Sequence, residues 1–374
     1  MGVSRGLLLS VLSLLAACGG GGSTAPPPGG PALTGMLLGG DISALERIED
    51  AGGVYRDAGQ ARDAIAILRA HGSNAFRLRL FVNPSGEEVQ VNDLAYTIRM
   101  AQRVKAAGAT LVLDIHYSDT WADPSHQLTP AGWDTLDLDT LERQVEVWSA
   151  GATAQLQAAG ALPDVVQIGN EVDAGMLWPL GALRYDADSL ASWDRFTRLL
   201  KAGIRGVRSA LGPGDDVRVL LHYSRGADAG GTRWFFDHIE QRGVPYDLIG
   251  VSYYPWWHGA LSALRGNLIA TAERYGRHVL VVEVAYPWRN QYLDEIVPSG
   301  AAMPWPISPQ RQRQFLTDLL HVVAAVPDDR GLGVLWWYPE AVQVPGLFVW
   351  GGGSLSLFDA TGNVLPAAGA FSPP

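Results

Sequence analysis

The sequence predicts an α/β fold of one kind, a single-domain (β/α)8 TIM barrel, on three observations. Eight short apolar runs rich in β-branched residues recur along the chain. Between them lie stretches with apolar residues at three- and four-residue spacing. Polar and aromatic side chains gather at the C-terminal ends of the runs and not within them. Strands buried on both faces of a parallel sheet read as continuous apolar runs, and the C-terminal ends of barrel strands are where a barrel carries its chemistry. By length alone, 374 residues would suggest two or three domains, but α/β barrels run long as one.

The first residues stand apart. Arg5 precedes an apolar run from Leu7 to Ala17, which ends Leu15-Ala16-Ala17-Cys18. A basic start, a short apolar centre and small residues mark residues 1–17 as a signal peptide, too short to span a bilayer as a mature helix. Leu-Ala-Ala-Cys resembles the lipobox of bacterial lipoproteins, so Cys18, the only cysteine, is the expected lipidation site. Residues 18–34, rich in Gly, Ser and Pro, read as a flexible tether. The expected product is exported and lipid-anchored to the cell envelope. Its catalytic domain spans residues 35–374.

The predicted strands are Met36–Gly40, Ala75–Leu80, Thr110–Ile115, Val165–Ile168, Val217–Leu221, Leu248–Ser252, Val279–Val282 and Gly333–Trp336. Helical periodicity covers Ala61–Ala70, Leu94–Ala107, Leu141–Ala158, Leu190–Leu211, Ala260–Tyr275 and Gln310–Val326. Glycines at 72, 108, 212, 243 and 276 suit C-terminal caps. A doubly wound open sheet is the alternative. It is disfavoured because no Gly-x-Gly-x-x-Gly turn follows the first strand.

The strand ends read Asp41; Arg77 and Arg79; Asp114 and His116; Asn170 and Glu171; His222; Tyr253 and Tyr254; Glu283; Trp336 and Trp337. Glu171 and Glu283 leave different strands, and in a barrel they converge on one mouth. Two facing carboxyl groups are the minimum apparatus for hydrolysing a glycosidic bond. An amide beside one of them, Asn170, can bond a sugar 2-OH. Two arginines on one strand are costly inside a barrel unless paired, so one is expected beside a catalytic carboxylate or in a structural ion pair. His116, Asp114 and His222 could in principle hold zinc, but no closely spaced His pair supports it. A net charge of −10 argues against nucleic acid as a partner. Thirteen tryptophans supply core packing or sugar platforms.

Longer motifs carry a resemblance. Gly40-Asp41-Ile42-Ser43, Arg77-Leu78-Arg79-Leu80, His116 through Pro124, Gln167 through Glu171, Gly175 through Pro179, Ser252 through Gly259 and Glu283-Val284-Ala285-Tyr286-Pro287 resemble glycoside hydrolase family 53, the endo-β-1,4-galactanases, over roughly residues 36–365. The resemblance implies a clan A barrel, a retaining double displacement on β-1,4-galactan, Glu171 as acid/base and Glu283 as nucleophile. It further implies Arg77 or Arg79 as the clan arginine, Tyr254 (in preference to Tyr253) beside the nucleophile, and Trp337 on the eighth strand. Asp119, Trp121, Trp178, Trp257 and His258 are expected in the sugar-binding groove, with Asp41, Arg79, His116, Asn170 and His222 near them. Tyr338 departs from the family's pattern, which has an acid there. Some bacterial members carry calcium in a loop after the seventh strand. Here 288–309 holds only Asp294 and Glu295 as acids, so no metal and no cofactor is expected. A monomer is expected. The rival readings are a β-mannanase or β-glucanase of the same clan, and a surface glycan-binding lipoprotein without turnover.

Overall fold

Eight parallel strands close on themselves. They are β1 (Leu37–Asp41), β2 (Ala75–Leu80), β3 (Thr110–Ile115), β4 (Val165–Ile168), β5 (Arg218–Tyr223), β6 (Leu248–Tyr253), β7 (His278–Val284) and β8 (Gly331–Trp337). Consecutive strands pair in order, and β1 pairs with both β2 and β8 to complete the barrel. The computed structural model describes Gly2 and residues 35–183, 189–294, 296–301 and 303–372. Cys18, most of the expected signal peptide and the whole tether lie outside the described residues.

The outer layer is built from α1 (Ala64–Ala70), α2 (Leu94–Ala106), α3 (Leu138–Ala158), α4 (Ser189–Ser209), α5 (Ala229–Gln241), α6 (Leu261–Tyr275) and α7 (Pro309–Ala324). Five of them start at a side-chain cap. Asp63, Asp93, Asp137, Asp228 and Ser308 each accept a backbone N–H from the first turn, a contact contributing about 1 kcal/mol. α5 is absent from the helical periodicity read above. Its first turn carries Gly230-Gly231, which opposes helix by propensity. The Asp228 cap and the burial of Phe235, Phe236 and Ile239 override it.

The eighth unit also differs from the expectation of eight strand–helix pairs. After β8 the chain runs through Pro339, Pro345, Gly346 and three consecutive glycines, and ends in a short 3-10 helix, Pro366–Phe371, packed against α7. That density of helix breakers rules out an eighth α-helix.

Alternation along the strands sets what fills the barrel. Leu37, Ala75, Val112, Val165, Leu220 and Leu280 form a small apolar plug of their own, separate from the main core under the helices. One pleat further along come Gly39, Arg77, Asp114, Gln167 and His222, two residues beyond their plug neighbours. Glu283 breaks that rule. Leu280 and Val282 belong to the plug, so simple alternation would turn Glu283 outward. The register shifts here instead: Val251 pairs with Val281, but Ser252 pairs with Glu283. The extra residue is a β-bulge on β7, and it re-aims Glu283 into the mouth.

Candidate active site

Arg77 is the centre of the mouth. Its guanidinium, wholly buried, reaches five acceptors from the ends of four strands. Nη1 donates to Glu283 Oε1 at 2.9 Å and Asp41 Oδ2 at 3.2 Å. Nη2 donates to Asn170 Oδ1 at 2.8 Å and Gln167 Oε1 at 3.1 Å, and lies 2.7 Å from Asp114 Oδ2. Three buried carboxylates around one cation keep it charged. Tyr254 donates its hydroxyl to the other oxygen of Glu283 at 3.2 Å.

Glu171 stands in a different environment. It has a left-handed backbone, φ 46°, directly after the strand-ending turn at Gly169. Gly169 itself has φ 73°, and a Cβ there would sit 2.4 Å from Val172 Cγ1, so glycine is required. Glu171 is half-buried on the cleft wall and makes no ion pair among the described residues. Its Oε1 lies 2.6 Å from Ser252 Oγ, which lies 2.8 Å from His222 Nε2.

These surroundings order the two carboxyl groups. Burial raises Glu283 to about 7, with Arg77 opposing and Asp114 and Asp41 assisting. Burial also raises Glu171 well above the carboxylate range, and the charge on Glu283 adds to it, while a hydrogen bond donated by Ser252 would oppose both. Glu283 is therefore the first to ionise and Glu171 the one that keeps its proton. A nucleophile and an acid are distinguished in this way in paired-carboxylate hydrolases.

Both carboxyl groups line a cleft of about 870 Å³. Of the residues expected in the site, Trp121, Asn170, Tyr254, Trp257, His258 and Trp337 line it too. Trp257 is 48% exposed at its rim. Burial lowers His258 to about 4, and its Nδ1 accepts the Tyr254 N–H at 3.1 Å, so the ring is a neutral clip.

Six expected substrate contacts are placed differently. Asp41, Arg79, His116 and His222 are fully buried behind the cleft wall and hold other residues. His116 Nδ1 accepts the Ala122 N–H at 3.1 Å. Arg79 is caged by Trp121, Trp337 and Tyr338, at 4.4, 5.0 and 4.9 Å from their ring centres. Asp119 fastens two loops by accepting from the Asn83 and Ala131 backbones. Trp178, not itself part of the cleft lining, donates Nε1 to the backbone oxygen of Ala174, a lining residue. The zinc reading fails on geometry: Asp114 is engaged by Arg77 and Gln167, and His222 by Ser252 and Asn170.

Phe348 and Trp350 line the cleft and were not foreseen. They come from the segment after β8, and Trp350 lies 6.4 Å from Trp257 and 5.8 Å from Tyr254. Only the local alternation Phe348-Val349-Trp350 hinted at an exposed platform. After β7, Arg289 donates to Gly352 O and Ser354 Oγ, and Trp288 to Gly353 O. Arg289 and the Trp288 indole already satisfy those oxygens, so the described residues of this loop do not fit a calcium ion.

Tyr338 replaces the acid of the family pattern, and a buried carboxyl returns two residues later as Glu340. Its Oε1 accepts the Ala44 N–H at 3.0 Å, while Oε2 has no hydrogen-bond partner among the described residues. Burial, then the charge of Asp41, push Glu340 up to about 8, with Arg79 opposing. The folded state thus binds the extra proton between the ordinary carboxylate value of 4.5 and about 8. Stability from this group is full below that window and lost as pH rises through it. Glu340→Gln keeps the Ala44 contact and is expected to melt a few degrees above wild type near pH 9 (~2–4 °C per kcal/mol), with the difference gone near pH 4. Thermal scans at both pH values check it.

The comparisons agree with this geometry. The family model described as Glycosyl hydrolase family 53 matches residues 37–371. A protein of Aspergillus terreus named as a probable arabinogalactan endo-β-1,4-galactanase A is 41% identical over 318 residues, covering 83% of this chain and 87% of that one. The arabinogalactan endo-β-1,4-galactanase of Thermothelomyces thermophilus is 34% identical, covering 89% and 98%. Among solved structures, the Ignisphaera aggregans GH53 catalytic domain superposes with a TM-score of 0.83 at 32% identity, covering 93% of this chain and 98% of that one.

Proposed function

The chain belongs to glycosyl hydrolase family 53, a clan A family of retaining glycosidases, and we propose that it is an endo-acting hydrolase of β-1,4-galactosidic bonds in galactan and type I arabinogalactan. One observation carries the division of labour. Arg77 binds Glu283 and not Glu171, so only one of the two carboxylates is stabilised as an anion.

In the first half-reaction Glu283 attacks the anomeric carbon. The bond to the leaving sugar breaks, and its oxygen takes the proton of Glu171. In the second, water attacks the galactosyl–Glu283 ester, Glu171 removes the water's proton, and Glu283 leaves as a carboxylate still held by Arg77 and Tyr254. The configuration at the anomeric carbon is inverted twice and so retained. Asn170, whose amide lies on the cleft wall beside Glu171, is placed to meet the sugar 2-OH. The cleft, with the exposed aromatics Trp257 and Phe348 in its lining, suits attack within a chain.

The test is product analysis on linear β-1,4-galactan beside mannan and cellulose. Release of short galacto-oligosaccharides, first seen as the β-anomer by NMR, is expected. Preferential release from mannan or cellulose would overturn the substrate, and an α-anomer the mechanism. Trp257→Ala should raise KM on galactan by up to about tenfold with kcat little changed, since its ring contributes a stacking face and no chemistry. Steady-state kinetics on galactan check it.

Export and a lipid tether at Cys18 belong to the same proposal and rest on the run Leu7–Ala17 and on Leu15-Ala16-Ala17-Cys18. Mass spectrometry of the mature N-terminus tests them. An unmodified N-terminus other than Cys18 would remove the anchor.

A further inference from the structure

Behind Glu171 runs a chain of polar atoms in which Ser252 and His222 have no part in the two half-reactions: Glu171 Oε1, Ser252 Oγ, His222 Nε2, His222 Nδ1 and Asn170 Oδ1. The successive gaps are 2.6, 2.8 and, beyond the imidazole, 2.9 Å. Each is short enough to demand a hydrogen, and the direction of every hydrogen can be worked out from the far end.

Asn170 cannot be turned round. Its Nδ2 donates to Ala122 O at 2.8 Å, and its Oδ1 accepts from Arg77, which has donors only. His222 Nδ1, facing that same Oδ1, must therefore carry a hydrogen. Two other donors face Nδ1 at longer range: Gln167 Nε2 at 3.2 Å, whose two hydrogens go to Asp114 Oδ1 at 2.6 Å and Gly169 O at 3.0 Å, and the Glu171 N–H at 3.4 Å; neither relieves the 2.9 Å approach of Nδ1 to an oxygen that can only accept. The imidazole is wholly buried beside Arg77 and His116, so it is neutral and its Nε2 is bare. Nε2 then accepts the Ser252 hydroxyl hydrogen. Ser252 has no second one to give, so the gap to Glu171 is filled only by a proton on Glu171 itself.

We propose that His222 and Ser252 are positioning residues that hold the acid proton on Glu171 in the free enzyme, through the ordered chain Glu171–H to Ser252, Ser252–H to His222, and His222–H to Asn170. This rests on the hydrolase reading above. When Glu171 gives its proton to the leaving oxygen, the Ser252 hydroxyl turns to the new carboxylate and His222 Nε2 loses its donor. When Glu171 takes a proton from water, the chain is restored. One proton leaves and one returns, and none is exchanged with His222. The other charges facing Glu171 are Glu283 from β7, Asp173 after β4 and Asp123 after β3, all of which favour the proton, while Arg225 pairs with Asp173.

The test is the pH dependence of kcat/KM, whose alkaline limb reports the acid of the free enzyme. Ser252→Ala removes the acceptor of the Glu171 proton, so the alkaline limb should move to lower pH by up to about one unit, while the acid limb set by Glu283 stays. An alkaline limb that is unmoved, or moves to higher pH as loss of a simple donor to the carboxylate would require, overturns the proposal. A second readout needs neither the variant nor turnover. Nitrogen-15 NMR of the wild-type imidazoles, with the His222 signal assigned by its absence in His222→Gln, should show the Nδ1–H tautomer. An Nε2–H tautomer overturns the chain. Wild-type protein that leaves galactan intact would instead remove the proposed function and leave the tautomer result standing.

Discussion

Glu283→Gln should lower kcat on linear β-1,4-galactan by about 10⁵-fold, because an amide cannot form the galactosyl ester through which both half-reactions pass. The substitution is close to isosteric, and the surroundings tolerate it. Arg77 keeps Asp41 and Asp114 as counter-charges, and a neutral group at 283 no longer has to be ionised in a buried site. The variant is therefore expected to fold, to melt at or above the wild-type temperature, and to bind galacto-oligosaccharides with undiminished affinity. Rate and calorimetric binding are read on the same sample. Turnover within tenfold of wild type would remove Glu283 from the role of nucleophile. Loss of binding together with rate would mean that the substitution had damaged the cleft rather than the chemistry.

That Glu283 lies at the mouth was legible from its place at the end of an apolar run, but that its side chain turns inward was not. A run such as Val279 to Val282 announces a buried strand, and so do the other seven, because strands covered on both faces are mostly apolar along their length. Closure into a barrel follows from their number. The bulge that turns Glu283 inward leaves no mark in a string of valines. Arg77 and Arg79 show a similar limit. They share a strand and a face, so pattern cannot rank them, and only depth in the barrel puts one against Glu283 and the other under Trp121 and Tyr338. The loops were legible as motifs but not as roles. Asp119 and Trp178 look like sugar contacts and turn out to fasten backbone, whereas Phe348 and Trp350 come from a Pro/Gly-rich segment whose path depends on tertiary packing.

The buried side chains that do not meet the cleft are no less tied to function. Asp41, Asp114 and Gln167 surround Arg77, and Arg77 decides which glutamate ionises. His222 and Ser252 sit behind the other glutamate and contact no anion of the Arg77 cluster. The mouth is thus split into an arginine-centred half around β1, β2, β3 and β7, and a histidine–serine half from β5 and β6. Asn170 touches both, through Arg77 on one side and His222 on the other. A substitution at Asn170 would perturb both carboxyl groups at once, so it cannot be used to assign a role to either.

Glu171→Ala separates the roles. On galactan, whose leaving group is a sugar hydroxyl that must be protonated, kcat should fall by about 10³-fold, the loss expected for a general acid. On a galacto-oligosaccharide with a nitrophenolate leaving group no proton is needed, and the first step should survive almost unimpaired. Hydrolysis of the galactosyl–Glu283 ester still lacks its base, so the intermediate should accumulate and appear as a burst of one nitrophenolate per enzyme. Added azide needs no base to attack, and it should restore turnover and give a β-galactosyl azide, since it enters the same face as water. The removed carboxylate also takes the alkaline limb of the pH profile with it, because Glu171 is the group whose ionisation ends activity there. An α-azide would exchange the two glutamates: it would arise if azide filled the place of a lost nucleophile. The same substitution therefore distinguishes proton carrier from nucleophile by the configuration of a product, a readout that a merely misfolded variant cannot produce.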